Sequence, residues 1–279
     1  MPSNVSMKSL LETGVHFGHR KTKWNPKMKP FIFTERNGIH IIDLEQTLAN
    51  LNTYYDLVRD ITSKGGNVLF VGTKRQAQEA IAREASRANQ PYINTRWLGG
   101  TLTNWVTIRK RIDTLKTLEK RRDSGDFELL TKKEVLILNR KMDKLQLRLG
   151  GIRAMRRLPE LIIVVDTRRE VTAIKEANTL SIPVLALADT NSDPDVIDYI
   201  IPGNDDAVRA IKLILAALAD AAIEGQAMRK QDDYAEEDSA DRADLDKFGD
   251  EDDDESFLGA ATIANIRKQK LFEDDQEDE

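Results

Sequence analysis

Between residues 31 and 104, and again between 159 and 228, short unbroken apolar runs alternate with stretches in which apolar residues recur every three or four positions. FIFTERNGIHIIDL (31–44) reads as two short strands joined across Asn37-Gly38, a pair that readily takes positive φ. Asp43 with Gln46 then opens a helix carrying Leu44, Leu48, Leu51, Tyr55 and Val58 on one face, and Gly65-Gly66 stops it. Strand-like NVLFVG (67–72), a helix opening with Thr73 and Gln76, and strand-like PYIN (91–94) follow. After the second gap come LIIVVD (161–166), a helix over 170–180, IPVLALAD (182–189), DYIIP (198–202) and a long helix from Asp205. Continuous apolar strands alternating with helices predict an α/β fold, a parallel sheet covered on both faces.

Residues 105–152 break that alternation. They read as two helices joined by Asp123-Ser124-Gly125-Asp126, with apolar residues at 105, 108, 112, 115 and 118 on the first arm. On the second they fall at 135, 138, 142, 145, 149 and 152, a spacing of alternating threes and fours. Thr131 and Glu134 box the start of the second arm and Gly150-Gly151 ends it. The pattern predicts an antiparallel coiled-coil hairpin inserted into a discontinuous sheet domain of residues 1–104 and 153–228.

Charge divides the chain differently. Residues 1–231 hold 37 Lys and Arg against 27 Asp and Glu, a net +10, whereas residues 232–279 hold 5 against 20, a net −15. A cationic body implies a polyanionic partner, and an acidic segment repels the same partner. Residues 229–279 therefore read as an acidic, mostly disordered tail, in which Phe257 to Lys270 could form either a short partner-docking helix or a weakly helical spacer. The absence of cysteine removes disulfides, thiolate ligands and thiol nucleophiles, and fits a reducing compartment. With no apolar leader in MPSNVSMKSLLETG and no apolar run of about 18 residues, the chain reads as cytosolic, with no membrane partner.

Leu11 to Lys29, LETGVHFGHRKTKWNPKMK, has neither helical nor strand periodicity, and the ten residues from Arg20 to Lys29 contain no acid. Irregular backbone needs water or a polar partner, which puts the segment on the surface. Arg20, Lys21, Lys23, Lys27 and Lys29, interleaved with Trp24, suit phosphates and bases. The residues alone suggest RNA. The segment also closely resembles the N-terminal signature of the bacterial small-subunit ribosomal protein S2 family. That resemblance extends through RWLGGTLTN (96–104), PELIIVVDTRREVTAIKEANTLSIP (159–183) and DTNSDPDVIDYIIPGNDD (189–206), and covers roughly residues 5–228. It implies a flavodoxin-like α/β domain with an inserted helical hairpin and a structural, non-enzymatic role on small-subunit ribosomal RNA. It further implies contacts with neighbouring ribosomal proteins, among them the large OB-fold-repeat ribosomal protein one, which captures messenger RNA.

Other candidate RNA contacts follow from position. Arg96 and Asn104 flank Gly99-Gly100 just beyond a strand, where open α/β sheets place ligands; either they grip a phosphate, or Trp97 caps the core and the glycines merely turn the chain. Lys74 and Arg75 stand at an expected helix start, whose free amides favour anions. On the hairpin, Arg109, Lys110, Arg111, Lys132 and Lys133 are either RNA contacts or a solvated face. Asp189 and Asp205 end successive strands and should meet at one sheet edge. With His19 they form a candidate zinc or magnesium site, against the plainer reading that Asn204 to Asp206 start the last helix and Asp189 starts an Asx turn. No cofactor is required by this reading.

Two other functions compete. A nucleotide- or flavin-dependent enzyme would suit the fold, but no strand is followed by GxGxxG, and VGTKR offers one glycine where a phosphate loop needs several. A non-ribosomal adaptor acting through the acidic tail is the third reading.

Overall fold

The computed structural model describes residues 5–248, with side-chain surroundings as far as residue 230. The chain divides into two compact units, Met1–Arg229 and Lys230–Glu279. Its elements are α1 (Met7–Thr13), β1 (Phe17–Arg20), β2 (Ile32–Arg36), β3 (Ile39–Ile42), α2 (Leu44–Ser63), β4 (Val68–Val71), α3 (Gln78–Arg87) and β5 (Tyr92–Ile93). There follow α4 (Trp105–Asp123), α5 (Lys132–Leu149), β6 (Leu161–Val165), α6 (Val171–Thr179), β7 (Val184–Ala188), β8 (Tyr199–Pro202) and α7 (Val208–Phe248).

Five strands form one parallel sheet in the order β5-β4-β6-β7-β8. Numbered by chain order within that sheet this is 2-1-3-4-5, the flavodoxin-like arrangement, so the fold class read from the sequence is correct. Because side chains alternate across a strand, Val68, Phe70, Leu161, Ile163 and Leu185 pack on one face with α2, α3 and α7. Leu69, Val71, Ile162, Val164 and Val184 pack on the other with α6 and the root of the hairpin. Each such fully buried apolar side chain contributes roughly 1.5–3 kcal/mol. At Gly225 in α7 a Cβ would lie 2.1 Å from Thr62 Oγ1 and 2.3 Å from the Arg59 carbonyl oxygen, so α7 crosses α2 at bare backbone.

β2 and β3 form the expected hairpin, with Asn37 and Gly38 both at positive φ, and β3 also pairs with β1. That third strand falls in the segment read as wholly irregular: Phe17–Arg20 is held by β3 despite having no apolar alternation of its own. The helical hairpin has its own core of Leu115, Leu118, Phe127 and Met142, and the Thr131–Glu134 capping box is formed.

The helix expected from Thr73 starts instead at Gln78, because Thr73 is diverted: its amide and hydroxyl both donate to buried Glu170, at 2.7 and 2.6 Å. α7 remains helical to Phe248, past the start of the tail read from the sequence as mostly disordered. The run Asp250 to Glu255 and the helix expected over Phe257 to Lys270 lie outside the described residues. Among the described residues no helix is long and apolar enough to cross a membrane.

Candidate nucleic-acid interface

The N-terminal basic segment is clamped onto the C-terminal edge of the parallel sheet. Thr190, just beyond β7, accepts from His19 N through its hydroxyl (2.9 Å) and from Asn25 N through its carbonyl (2.8 Å). Beyond β8, Asn204 N donates to the Val15 carbonyl at 2.9 Å and the Asn204 amide group to that of Gly14 at 3.2 Å. The chain's own segment thus covers the edge at which open α/β sheets bind ligands. Arg20, Lys21, Lys23, Lys27 and Lys29 are all exposed. Lys21 pairs with Glu35 at 2.8 Å, and Lys27 with Asp193 and Asp195. Arg20, Lys23 and Lys29 have no ion-pair partner among the described residues. Trp24 is half-buried against His40, ring centroids 4.9 Å apart, which leaves less of it for stacking on a base than a free side chain would offer.

Beneath that segment the strand ends converge as expected for Asp189 and Asp205, and they bring Asp166 with them. Lys74 corrects the reading of it as an RNA contact. Its ammonium is turned inward, 2.8 Å from Asp205, 2.7 Å from Asp206 and 3.3 Å from Asp166. Burial works against the charged amine, but the bonds to Asp205 and Asp206 and the charges of Asp205 and Asp166 outweigh it and raise the Lys74 pKa. Burial, then the neighbouring Asp189 and Asp166, push Asp205 up to about 7 against the pull of Lys74. The Asp189 carboxylate, 2.8 Å from His19 Nδ1, raises that histidine.

The ligand atoms that come within 4.8 Å of one another are those of His19, Asp205 and Asp206, so the donor set differs from the expected His19, Asp189 and Asp205. Asp189 faces the other imidazole nitrogen and orients the ring, as partners of metal-bound histidines do. The set suits a divalent ion chemically, yet Lys74 Nζ already bridges two of its carboxylates.

The loop around Gly99-Gly100 does cradle an anion, and the anion is the protein's own. Glu176, buried on α6, accepts from Trp97 Nε1 (3.0 Å), Gly100 N (2.8 Å), Leu102 N (2.9 Å) and Thr103 N (3.3 Å). Burial pushes its carboxyl up, but the bonds from Trp97, Leu102, Gly100 and Thr103 outweigh this and hold it below the usual range. Those amides are therefore not free for a phosphate. Trp97 caps the core, while Arg96 and Asn104 stay exposed beside it.

The crevice between β4 and β6, where a flavodoxin-like sheet would hold a cofactor, is filled in the same way. Glu170 takes Thr73, Asp166 takes Lys74, and a Cβ at Gly72 would meet Ile81 Cδ1 at 2.3 Å. Arg75 beside it is exposed, as are Arg109, Lys110, Arg111, Lys132 and Lys133 on the hairpin.

The sequence reading missed Asp166 and Glu176. Asp166 was accessible to it, since it closes LIIVVD as Asp189 closes the next strand. Glu176 sits mid-helix at ordinary spacing, and nothing local marks a carboxylate that faces a loop 74 residues away.

The sheet edge is thus filled by the chain's own side chains and overlaid by a segment of exposed cations, and a basic helical hairpin is inserted between β5 and β6. The family model of ribosomal protein S2 matches residues 10–225. The small ribosomal subunit protein uS2 of Lawsonia intracellularis is 60% identical over 226 residues, covering 81% of this chain and 78% of the relative. That of Desulfovibrio desulfuricans is 59% identical over 226 residues, covering 81% and 88%. The chain belongs to the ribosomal protein S2 family, and it is not an enzyme.

Proposed function

We propose that the protein is a structural constituent of the small ribosomal subunit, acting in the cytoplasm, and that it holds ribosomal RNA through its N-terminal basic segment and part of its hairpin. The carrying observation is the acid-free run from Arg20 to Lys29, whose cations are exposed and whose backbone is fixed on the sheet edge by Thr190, through His19 N beside it and Asn25 N within it. A pre-ordered backbone reduces the entropy lost when such a segment engages phosphates. Arg75, Arg96, Asn104, Arg109, Lys110, Arg111, Lys132 and Lys133 are the further contacts in this reading; Lys74 is not. Adding the protein to small subunits stripped of it should restore one copy per subunit and protect a defined set of nucleotides. Diffuse, non-saturating uptake would refute the assignment.

The same molecule helps hold other small-subunit proteins, including the large OB-fold-repeat ribosomal protein one. What supports this is an apolar hollow of about 390 Å³ walled by Met7, Leu11, Phe33 and Ile41. Phe33 is 75% exposed there and Leu11 51%. Exposed large apolar side chains gathered at one place mark a protein contact more often than an RNA contact. Phe33→Asp should lower retention of ribosomal protein one while leaving RNA binding unchanged. No bound ion is required in this reading, since the Lys74 ammonium already sits among Asp166, Asp205 and Asp206; zinc or magnesium would have to displace it. Metal analysis of the purified protein tests that.

A further inference from the structure

At the opposite, N-terminal edge of the sheet, an open cleft runs along the root of the hairpin. It consists of two hollows of about 650 and 410 Å³ that share Lys116, Arg153, Ala154 and Met155 as walls. Each volume lies within the roughly 300–1,000 Å³ usual for ligand clefts. The cleft is built by a close approach: a Cβ at Gly151 would lie 2.2 Å from the Tyr92 carbonyl oxygen, so only glycine lets the returning arm rest on edge strand β5. Asn67 and Asn89, on the loops entering β4 and β5, supply amide groups on the sheet side.

The charge of the cleft is one-sided. Arg109, Lys116, Arg153 and Arg156 line it, against Asp113 alone among acids. Arg153 is paired with Glu119 at 2.8 Å, and Arg109 reaches only the Arg156 carbonyl, at 3.4 Å. Lys116 and Arg156 have neither ion-pair nor side-chain hydrogen-bond partner among the described residues. Lys116 is half-buried, so its unpaired charge faces a partly desolvated wall. Arg109 and Lys116 stand seven residues apart on one face of α4, about 10 Å along the axis. Cations in excess of acids, two of them unpaired, beside neutral amides fit the phosphodiester backbone and sugar edges of a nucleic acid strand.

We propose that RNA contact extends from Arg109 into this cleft, where Lys116 and Arg156 contact phosphates of a ribosomal RNA strand lying between hairpin and sheet. The proposal rests on the small-subunit reading above.

The chain has no cysteine, so Ser86→Cys places a single thiol on the exposed rim of the cleft for an iron chelate that generates hydroxyl radicals. In subunits reconstituted with that protein, focused scission of one ribosomal RNA segment is expected. Lys116→Ala with Arg156→Ala should weaken that scission and make the slope of log affinity against log salt shallower by about two, with the unfolding midpoint unchanged. One-copy binding of the tethered protein without scission would overturn the cleft assignment and leave the small-subunit reading standing. Failure of the unaltered chain to bind one copy per subunit would remove both.

Discussion

Trp97 and Glu176 are joined across 3.0 Å, indole nitrogen to carboxylate, and the same carboxylate collects the amides of Gly100, Leu102 and Thr103. α6 thereby fixes the loop that carries Arg96 and leads into the hairpin. A carboxylate held by so many donors resists replacement, since each buried donor left unmade costs about 1–3 kcal/mol. Glu176→Ala should destabilise by about 3 kcal/mol or more in urea unfolding, and Glu176→Gln by less. An effect of Glu176→Ala below about 0.5 kcal/mol, the scale of ordinary surface changes, would contradict that role.

The same carboxylate gives a pH dependence of known sign. Its folded pKa lies below the ordinary 4.5, so the unfolded chain binds the proton more readily. Its contribution is fully present above about pH 4.5 and is lost as pH falls through the lower folded value. The stability advantage of the unaltered protein over Glu176→Gln should therefore shrink between pH 6 and 3, followed by urea midpoint at each pH. A gap that stays constant or widens on acidification would contradict the shift.

Lys74 is a structural cation in this account. Lys74→Met leaves Asp166, Asp205 and Asp206 facing one another without it, and removing one partner of a buried ion pair typically costs about 3–5 kcal/mol. Loss of stability of that order is expected, with the salt slope of RNA binding unaltered. A shallower slope at unchanged stability would return Lys74 to the RNA surface.

At Gly225, alanine has no room against Thr62 and the Arg59 carbonyl. Gly225→Ala gains helix propensity but forces α7 from α2, and overpacking of this kind costs about 1–3 kcal/mol. Thermal unfolding should show a lowered midpoint. An unchanged or raised midpoint would mean that the two helices separate freely.

Periodicity made the architecture legible. Unbroken runs such as LIIVVD and the alternating threes and fours of the hairpin report burial directly, because side chains in β6 are buried on both faces and those in α4 on one. Short strands without such a pattern were hidden: Phe17–Arg20 becomes a strand only because β3 offers it an edge. Site geometry was harder, since a charge has the same letter whether it meets water or a carboxylate. Lys74 and Lys23 look alike in sequence; only the convergence of β4, β6 and β8 turns Lys74 inward. Glu170, just before α6, and Glu176, within it, show the converse, acids that occupy the very donors which the strand-end loops would otherwise present to phosphate.

Anchoring of the chain on the small subunit by the basic segment is tested most directly by co-sedimentation with subunits stripped of this protein, across a salt series. The unaltered chain should be compared with a variant in which Arg20, Lys21, Lys23 and Lys27 are alanine. Saturation at one copy, log affinity falling steeply with log salt, and a slope shallower by up to about four in the variant are expected; the pairing of Lys21 and Lys27 with acids lowers their share. Equal slopes for the two proteins would contradict phosphate anchoring through this segment, and no saturable binding would contradict the assignment to the small subunit.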